Sequence, residues 1–383
     1  MQPSPYTPGE IASSVPGRVL QLSEFEERLS YLVDLQKLIG RIRVDHAPRG
    51  LGKTSLLRQY QRRADERGVF TVWVTAGEEA GLIAQIASRI QDGSKSWSRD
   101  AQSAVRQFAE NVTVSVGVPG VVKLETTSQR PAGPLVPSGV REFEDLIRAA
   151  ANANGHQGLI IFVDEIQAAD PAGLRTIAFA WQHLQSEGTD VPAAVFAAGL
   201  PDAADKISSV VTFTERLAFR PLDLLEPDAE EIAISAPARA LGVSWSGDAL
   251  AAAVSIAQGY PYSIQLIADA SWAAARHPDP GGEITQEHVE QGRVSMQTDL
   301  TSLFRARWAN ATPSERDLMT AMAEIGDGNV KRSDVAQRLG VTPASLSVPR
   351  GRLIDKGFIH APERGHLAFT VPGFATFVRE LDD

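Results

Sequence analysis

The sequence predicts an α/β block built on a parallel sheet, followed by a helical unit and a small module of helices and a hairpin. Three observations predict it. Val44-Asp45-His46-Ala47-Pro48-Arg49-Gly50-Leu51-Gly52-Lys53-Thr54-Ser55-Leu56-Leu57 reads as a strand running into a glycine-rich turn and then a helix. Gly158-Leu159-Ile160-Ile161-Phe162-Val163-Asp164-Glu165 reads as a strand covered on both faces that delivers two carboxylates at its end. From Thr312 onward, helix starts and stops are followed by the alternation of a hairpin.

Composition sets the outer bounds. A chain of 383 residues suggests two or three domains, and 43% apolar with 22% charged residues is an ordinary globular balance. No apolar run is long enough to span a membrane. Met1 to Gly17 is rich in Pro and Ser and lacks a basic cluster followed by an apolar block, so no export signal is expected. The absence of cysteine removes disulfides, thiolate catalysis and thiolate metal sites, and fits a cytoplasmic protein. A net charge of −10 excludes nucleic-acid binding through the whole surface and leaves it to a local patch. The seven His are scattered, and His360 and His366 are expected on the surface.

Along the chain, Ser23 and Glu26 suggest a capping box that opens a helix carrying Phe25, Leu29, Leu32 and Val33. Arg41 to Asp45 is short and β-like. The helix after the glycine turn runs to about Arg67 and stops at Gly68. Val69 to Val74 is an apolar strand, and Gly81 to Ile90 is helical. A helix is expected over Asp100 to Glu110. Val112 to Val118 alternates with small polar residues, turns at Pro119-Gly120 and returns through Leu124, a hairpin signal. Glu125 to Gly139 reads as a flexible link. The hairpin is either a surface decoration or an insertion that touches a partner.

Val140 to Ala151 is helical, and Asp170-Pro171 opens a further helix as cap and first residue. Ala193 to Ala198 is a buried strand, and Arg216 to Phe219 a last short one. From Asp223 the pattern turns helical over Ala229 to Leu241, Gly247 to Gln258, Tyr262 to Arg276 and Thr285 to Trp308. Thr312-Pro313-Ser314-Glu315 is a capping box, Ser333 and Thr342 suggest two more helix starts, and Phe358 to His360 with Leu367 to Thr370 form a hairpin. Three helices followed by a β wing make a winged helix-turn-helix. Pro349 is expected to kink its second helix. Domain limits follow as 1–222, with an insertion at 93–139, then 223–311 and 312–383.

The glycine turn is a phosphate cradle. Small residues let backbone N–H groups from Ala47, Pro48, Arg49, Gly50, Leu51, Gly52 and Ser55 turn around an anion, less the one that Pro48 lacks, and the helix beginning there adds its positive end. Lys53 would meet the β- and γ-phosphates and Thr54 the Mg²⁺ ion. Asp164 would complete the metal shell, and Glu165 would orient and deprotonate the attacking water. Ala47 stands where the motif opens with Gly, which is tolerated only at negative φ.

On these residues the chain resembles AAA+ P-loop ATPases of the archaeal-type, origin-recognition-initiator-like branch that borders the STAND ATPases. Val15-Pro16-Gly17-Arg18 is similar to the entry motif near the adenine, so Gly17 and Arg18 would line the nucleotide. Ala47 to Thr54 and Leu159 to Glu165 resemble Walker A and Walker B. Thr214-Glu215-Arg216-Leu217 resembles the stretch whose Arg acts on a neighbouring subunit's γ-phosphate, and Gly259-Tyr260-Pro261-Tyr262 the lid turn, with Pro261 beside the nucleotide. The resemblance implies a sheet order 5-1-4-3-2, a helical lid, ATP and Mg²⁺. Two expected residues are missing. Ala193 to Ala198 ends without a polar sensor, and Tyr262 stands where many relatives carry a lid Arg, which implies slow hydrolysis.

Arg350, Arg352, Lys356 and Arg364 lie where a winged helix meets double-stranded DNA. Against this, the tail from Thr312 carries nine Lys and Arg and ten Asp and Glu, whereas DNA modules are usually basic. Two functions follow. One is a Mg-ATP-dependent ATPase that couples nucleotide state to DNA, as a homo-oligomer or with a partner protein. The other is a STAND-like switch in signalling or defence whose winged helix docks protein. No membrane partner is expected.

Overall fold

The computed structural model describes residues 2–77, 81–99, 139–187 and 190–381, together with 102, 103, 105, 106 and 108. The hairpin and link expected at 112–138 and most of the helix expected at 100–110 lie outside the described residues. The chain divides into two compact units. One comprises Leu20–His46 and Leu57–Arg220, the other Met1–Val19, Ala47–Leu56 and Pro221–Asp383.

The first unit is a sheet with helices on both faces. Strands β1 (Ile42–His46), β2 (Phe70–Thr75), β3 (Leu159–Asp164), β4 (Ala193–Gly199) and β5 (Leu217–Pro221) lie in the order β2-β3-β4-β1-β5. Read from the other edge this is 5-1-4-3-2. The pairs β1–β4, β3–β4 and β2–β3 are parallel. Every residue of β3 and β4 is buried, as both-face coverage requires. On one face Leu159, Ile161, Val163, Val195 and Ala197 pack with α3 (Leu82–Gly93), α4 (Val140–Ala151) and α5 (Pro171–Glu187) through Ile86, Ile90, Phe143, Ile147, Trp181 and Leu184. On the other, Phe196 meets Phe25 of α1 (Val19–Leu35) edge-on at 4.9 Å, and Phe25 stacks on Tyr60 of α2 (Lys53–Glu66) at 4.4 Å. Asp170 caps α5: its carboxylate accepts from the Gly173 N–H at 2.7 Å and from the Leu82 N–H at 2.7 Å, so one side chain fixes the starts of two helices. The short α6 (Ala203–Val210) follows β4.

In the second unit α7 (Pro227–Ala240), α8 (Gly247–Ala257), α9 (Pro261–Ala274) and α10 (Gln286–Ala309) form a helical array, with a small parallel pair β6 (Ser244–Trp245) and β7 (Glu283–Ile284). The N-terminal segment packs onto it. Tyr6 is buried, donates its hydroxyl to the Ile234 carbonyl, and accepts from the Trp245 indole at 3.1 Å. The C-terminal module holds α11 (Pro313–Ile325), β8 (Val330–Lys331), α12 (Arg332–Arg338), α13 (Ser347–Asp355), β9 (Ile359–His360), β10 (His366–Phe369) and α14 (Phe374–Glu380). Its three strands lie β8-β10-β9 and pair antiparallel. Among the described residues no helix is long and apolar enough to cross a membrane.

Several local expectations are corrected. Helix α1 begins at Val19, not at Ser23, because the turn that bonds the Arg18 N–H to Val15 O ends there and the helix starts at once. Ser333 is inside α12: pairing of β8 with β10 sets the helix start, with the Arg332 N–H on Gly365 O at 2.8 Å, and the Ser333 hydroxyl turns to Asp334. Pro349 does not kink the second helix. It is the third residue of α13, where no backbone N–H has an intrahelical partner to lose. His360 and His366 are half-buried rather than on the surface, and burial pushes the His360 imidazole below its ordinary value against the opposing pull of Asp223.

Candidate nucleotide site

Ala47–Ser55 leaves the end of β1 and enters α2. Gly50 and Gly52 take φ of +85° and +81°, left-handed values that turn the loop back on itself. Ala47 is absent from the positive-φ residues and is buried, so the missing first glycine costs this backbone nothing. Lys53 heads α2, is buried, and donates from Nζ to the Pro48 carbonyl at 3.0 Å. The loop therefore curls around its own lysine.

Two side chains from elsewhere in the same unit pin this loop. Arg18 is buried and its guanidinium donates to Leu51 O at 3.2 Å and Asp223 O at 2.8 Å. Gly17 beside it has no room for a side chain, since a Cβ there would come within 2.8 Å of Ala229 Cβ. The sequence reading puts Gly17 and Arg18 beside the nucleotide, and two of the bonds that Arg18 makes are to the Leu51 carbonyl of the cradle and to the Asp223 carbonyl. Tyr260, the residue before Pro261 at the start of α9, donates its hydroxyl to Arg49 O at 2.9 Å. A Cβ on Gly50 would lie 2.0 Å from that hydroxyl, so the phenol covers the loop directly. Burial raises the Tyr260 phenol above its ordinary value, and the hydrogen-bonded Arg307 guanidinium opposes this. Arg307 in turn donates to Gly357 O at 3.2 Å and lies over the Phe358 ring. Neither Tyr260 nor Arg307 was singled out from the sequence, although Tyr260 sits inside a motif that was. The Ser55 hydroxyl accepts from the Ala12 N–H at 3.1 Å.

The acidic pair belongs to the sheet unit. Val44 and Val163 pair with the same residue, Ala197, from opposite sides. Strands β1 and β3 therefore end within one residue of the same level, two strand spacings or about 10 Å apart, and Asp164-Glu165 stands at the sheet edge where β1 ends. Asp164 is buried, and its carboxylate accepts the Glu165 N–H at 3.0 Å. Glu165 is in the left-handed region at φ 52°, ψ 41°, an uncommon state for a residue with a side chain. Its carboxylate accepts from Gln167, whose amide oxygen accepts the Leu200 N–H at 2.9 Å, just past the end of β4. Nearby, Arg58 of α2 lies 3.4 Å from the centre of the Trp73 ring; burial pulls its guanidinium down and the Asp164 charge opposes that.

Arg216 is not brought to the acidic pair. It precedes β5, donates to Gln185 at 3.0 Å, and neighbours Leu217, whose carbonyl accepts from Arg41 just ahead of β1. That is the starting edge of β1, a strand length from its other end. Arg220 is exposed, with Glu24 at 3.9 Å. In the C-terminal module Arg350 and Arg352 lie on α13 and Arg364 between β9 and β10, and none of the three is in an ion pair among the described residues. Lys356 has its charge taken up by the fully buried Glu315 at 2.6 Å.

Residues 35–196 match the AAA ATPase domain family. Residues 35–196 are an AAA ATPase domain. Residues 301–378 match a domain of unknown function, DUF8462. No curated protein matches the sequence. Among solved structures, the chain is similar to the ORC2 protein of Aeropyrum pernix in its ADPNP–ADP complexes, with a TM-score of 0.60 at 12% identity over 98% of this chain and 96% of that one. A Walker-type ATPase of Pyrococcus abyssi gives 0.57 at 13% identity over 96% and 99%. At such identities the likeness is one of fold, and it extends over 96–98% of this chain.

Proposed function

We propose that the chain binds ATP with Mg²⁺ in the cradle at Ala47–Ser55, hydrolyses it slowly, and couples nucleotide state to DNA contact through a C-terminal winged helix. The observation that carries this is that β1 and β3 end within one residue of the same level, so that Asp164-Glu165 stands at the sheet edge where β1 ends. The donor set fits Mg²⁺, which takes one or two protein oxygens and fills its octahedron with phosphate and water; Thr54 and Asp164 are the residues that would hold it. Bound Mg²⁺ would neutralise charge on the β- and γ-phosphate oxygens. Lys53 would pair with those phosphates after leaving the Pro48 carbonyl. Glu165 would take a proton from water as its oxygen bonds to the γ-phosphorus, the bond to the β-phosphate oxygen breaks, and ADP and phosphate leave. The fold relative that holds ADPNP and ADP supports the choice of an adenine nucleotide.

Calorimetry tests the first step. The expected result is ATP binding that Lys53→Ala abolishes; no heat and no thermal upshift with saturating Mg-ATP rejects the proposal. Glu165→Gln should keep binding and stop turnover. A trans role for Arg216 or Arg220 fits the distance of Arg216 from Glu165 in its own chain, and predicts that either Arg→Ala variant lowers turnover only at protein concentrations where copies associate. For DNA, Arg350, Arg352 and Arg364 carry the proposal, Lys356 being engaged with Glu315. Anisotropy with labelled duplex should show salt-sensitive binding, and each Arg→Ala change should reduce the salt slope by about 1.

A second function has its own support. The strand β4 ends in Ala197-Ala198-Gly199, without a polar side chain to meet a γ-phosphate, which favours a nucleotide-held switch docking on protein. Tightly retained nucleotide with turnover far below about 1 s⁻¹ and no duplex binding at low salt would select it.

A further inference from the structure

We propose that Gln167 is the positioning residue of the hydrolytic site, holding Glu165 to the end of β4. The inference rests on the assignment of Glu165 as the base.

The geometry is a two-ended bridge. The Gln167 amide nitrogen donates to Glu165 Oε2, and the Gln167 amide oxygen accepts the Leu200 backbone N–H at 2.9 Å. One side chain thus uses a donor and an acceptor on two different elements, and the amide of Gln167 supplies both. The approach is built in. A Cβ on Gly199 would lie 2.9 Å from the Gln167 amide oxygen and 3.0 Å from Ile166, so the glycine that ends β4 leaves room for this side chain. The segment between is a tight turn: Ala168 N–H bonds Glu165 O at 2.8 Å and Ala169 N–H bonds Ile166 O at 3.1 Å. That turn has Glu165 at φ 52°, a conformation disfavoured for a residue with a Cβ. Strain of this kind persists where surrounding contacts over-determine it, and the Gln167 bridge is such a contact.

The consequence is chemical. A base that must meet a water in line with the γ-phosphorus gains from being fixed before the reaction, and one carboxylate oxygen engaged by Gln167 leaves Oε1 to address the water. The position of β4, which lies between β1 and β3, is thereby transmitted to the base without any polar residue on β4 itself.

The test uses the full chain and four variants: Glu165→Gln, Gln167→Met, Gln167→Glu and the double change Glu165→Gln with Gln167→Met. Calorimetry gives ATP affinity, and single-turnover hydrolysis gives the chemical rate. Met keeps the length and loses both hydrogen bonds; Glu keeps the acceptor for Leu200 but faces Glu165 with a like charge. The expected result is unchanged ATP affinity, a rate lowered about ten- to a hundredfold by Gln167→Met, at least the same loss in Gln167→Glu, and no further loss when Gln167→Met is added to Glu165→Gln. The last outcome separates action through Glu165 from a general structural effect, which would add. Hydrogen exchange at the Leu200 amide, faster in Gln167→Met and unchanged in Gln167→Glu, checks the bridge without turnover. An active parent, an inactive Glu165→Gln and a fully active Gln167→Met overturn this inference alone. A parent without turnover, or a Glu165→Gln variant as fast as the parent, overturns the assignment of the base, and the inference with it.

Discussion

Tyr260 shows how one hydroxyl can shape a loop. Its bond to Arg49 O and its cover over Gly50 fix the cradle from outside, while Arg18 fixes it at Leu51. Tyr260→Phe keeps the ring and removes the hydroxyl with its bonds to Arg49 O and the Arg307 guanidinium, at a cost of about 0.5–1.5 kcal/mol for each. If the bond holds the loop in its binding shape, ATP affinity falls about two- to tenfold by calorimetry; an unchanged affinity means that Arg18 suffices. Glu315 makes a second residue-scale case. Burial pushes its carboxyl up, but bonds from Lys356 and from the Thr312 N–H outweigh this and hold it below the ordinary 4.5. A depressed folded value contributes stability above the unfolded value and loses it as pH falls through the folded one. Urea midpoints should therefore drop on acidification below about pH 4.5, and Glu315→Gln should be less stable at neutral pH with a flatter acid decline.

Strand β1 shows what an element can hide. It carries Arg43 and Asp45 fully buried, bonded to each other at 2.9 Å, with Glu24 on Arg43 at 2.7 Å. Burial raises the Asp45 carboxyl and Arg43 pulls it back, so the aspartate depends on its partner. Arg43→Ala strands that carboxylate and should cost about 3–5 kcal/mol in chemical denaturation, while joint replacement of Arg43 by Met and Asp45 by Leu should recover most of it. The sheet was legible in the sequence because burial on both faces leaves continuous apolar runs, as in Leu159 to Val163 and Ala193 to Ala198. The cradle was legible because its turn needs glycines at fixed offsets from Lys53. Helix starts were less so: Ser23 and Ser333 have the chemistry of caps, but a turn at Arg18 and a strand pairing at β8 decide where those helices begin. The supporting side chains were invisible for a different reason. Tyr260 meets a residue 211 positions away and Gln167 one 33 away, and no local pattern marks such a pair.

At the scale of the whole molecule, the compact unit that contains the cradle also contains the C-terminal module. A Cβ on Gly357, the residue that ends the turn after α13, would lie 3.3 Å from the Arg49 backbone nitrogen. Arg307 of α10 bonds the Gly357 carbonyl and the Tyr260 hydroxyl, so one half-buried guanidinium joins the cradle's cover to the module that carries Arg350, Arg352 and Arg364. Burial draws this guanidinium down and the Tyr260 oxygen opposes that, as expected of a cation held for its bonds. Tyr260 touches the Arg49 and Gly50 backbone and Gly357 lies against Arg49, so a change in the cradle backbone at these residues would be felt by both. If duplex binding depends on ATP, that dependence should pass through Arg307. Arg307→Met keeps the packing over Phe358 and removes both bonds. It should leave ATP affinity and DNA affinity each within about threefold of the parent, a shift under 1 kcal/mol, while the factor by which ATP changes DNA affinity falls toward one. Linkage requires the factor by which DNA changes ATP affinity to fall equally. Anisotropy with and without nucleotide, paired with calorimetry with and without duplex, measures both sides; a coupling factor that survives Arg307→Met places the communication elsewhere.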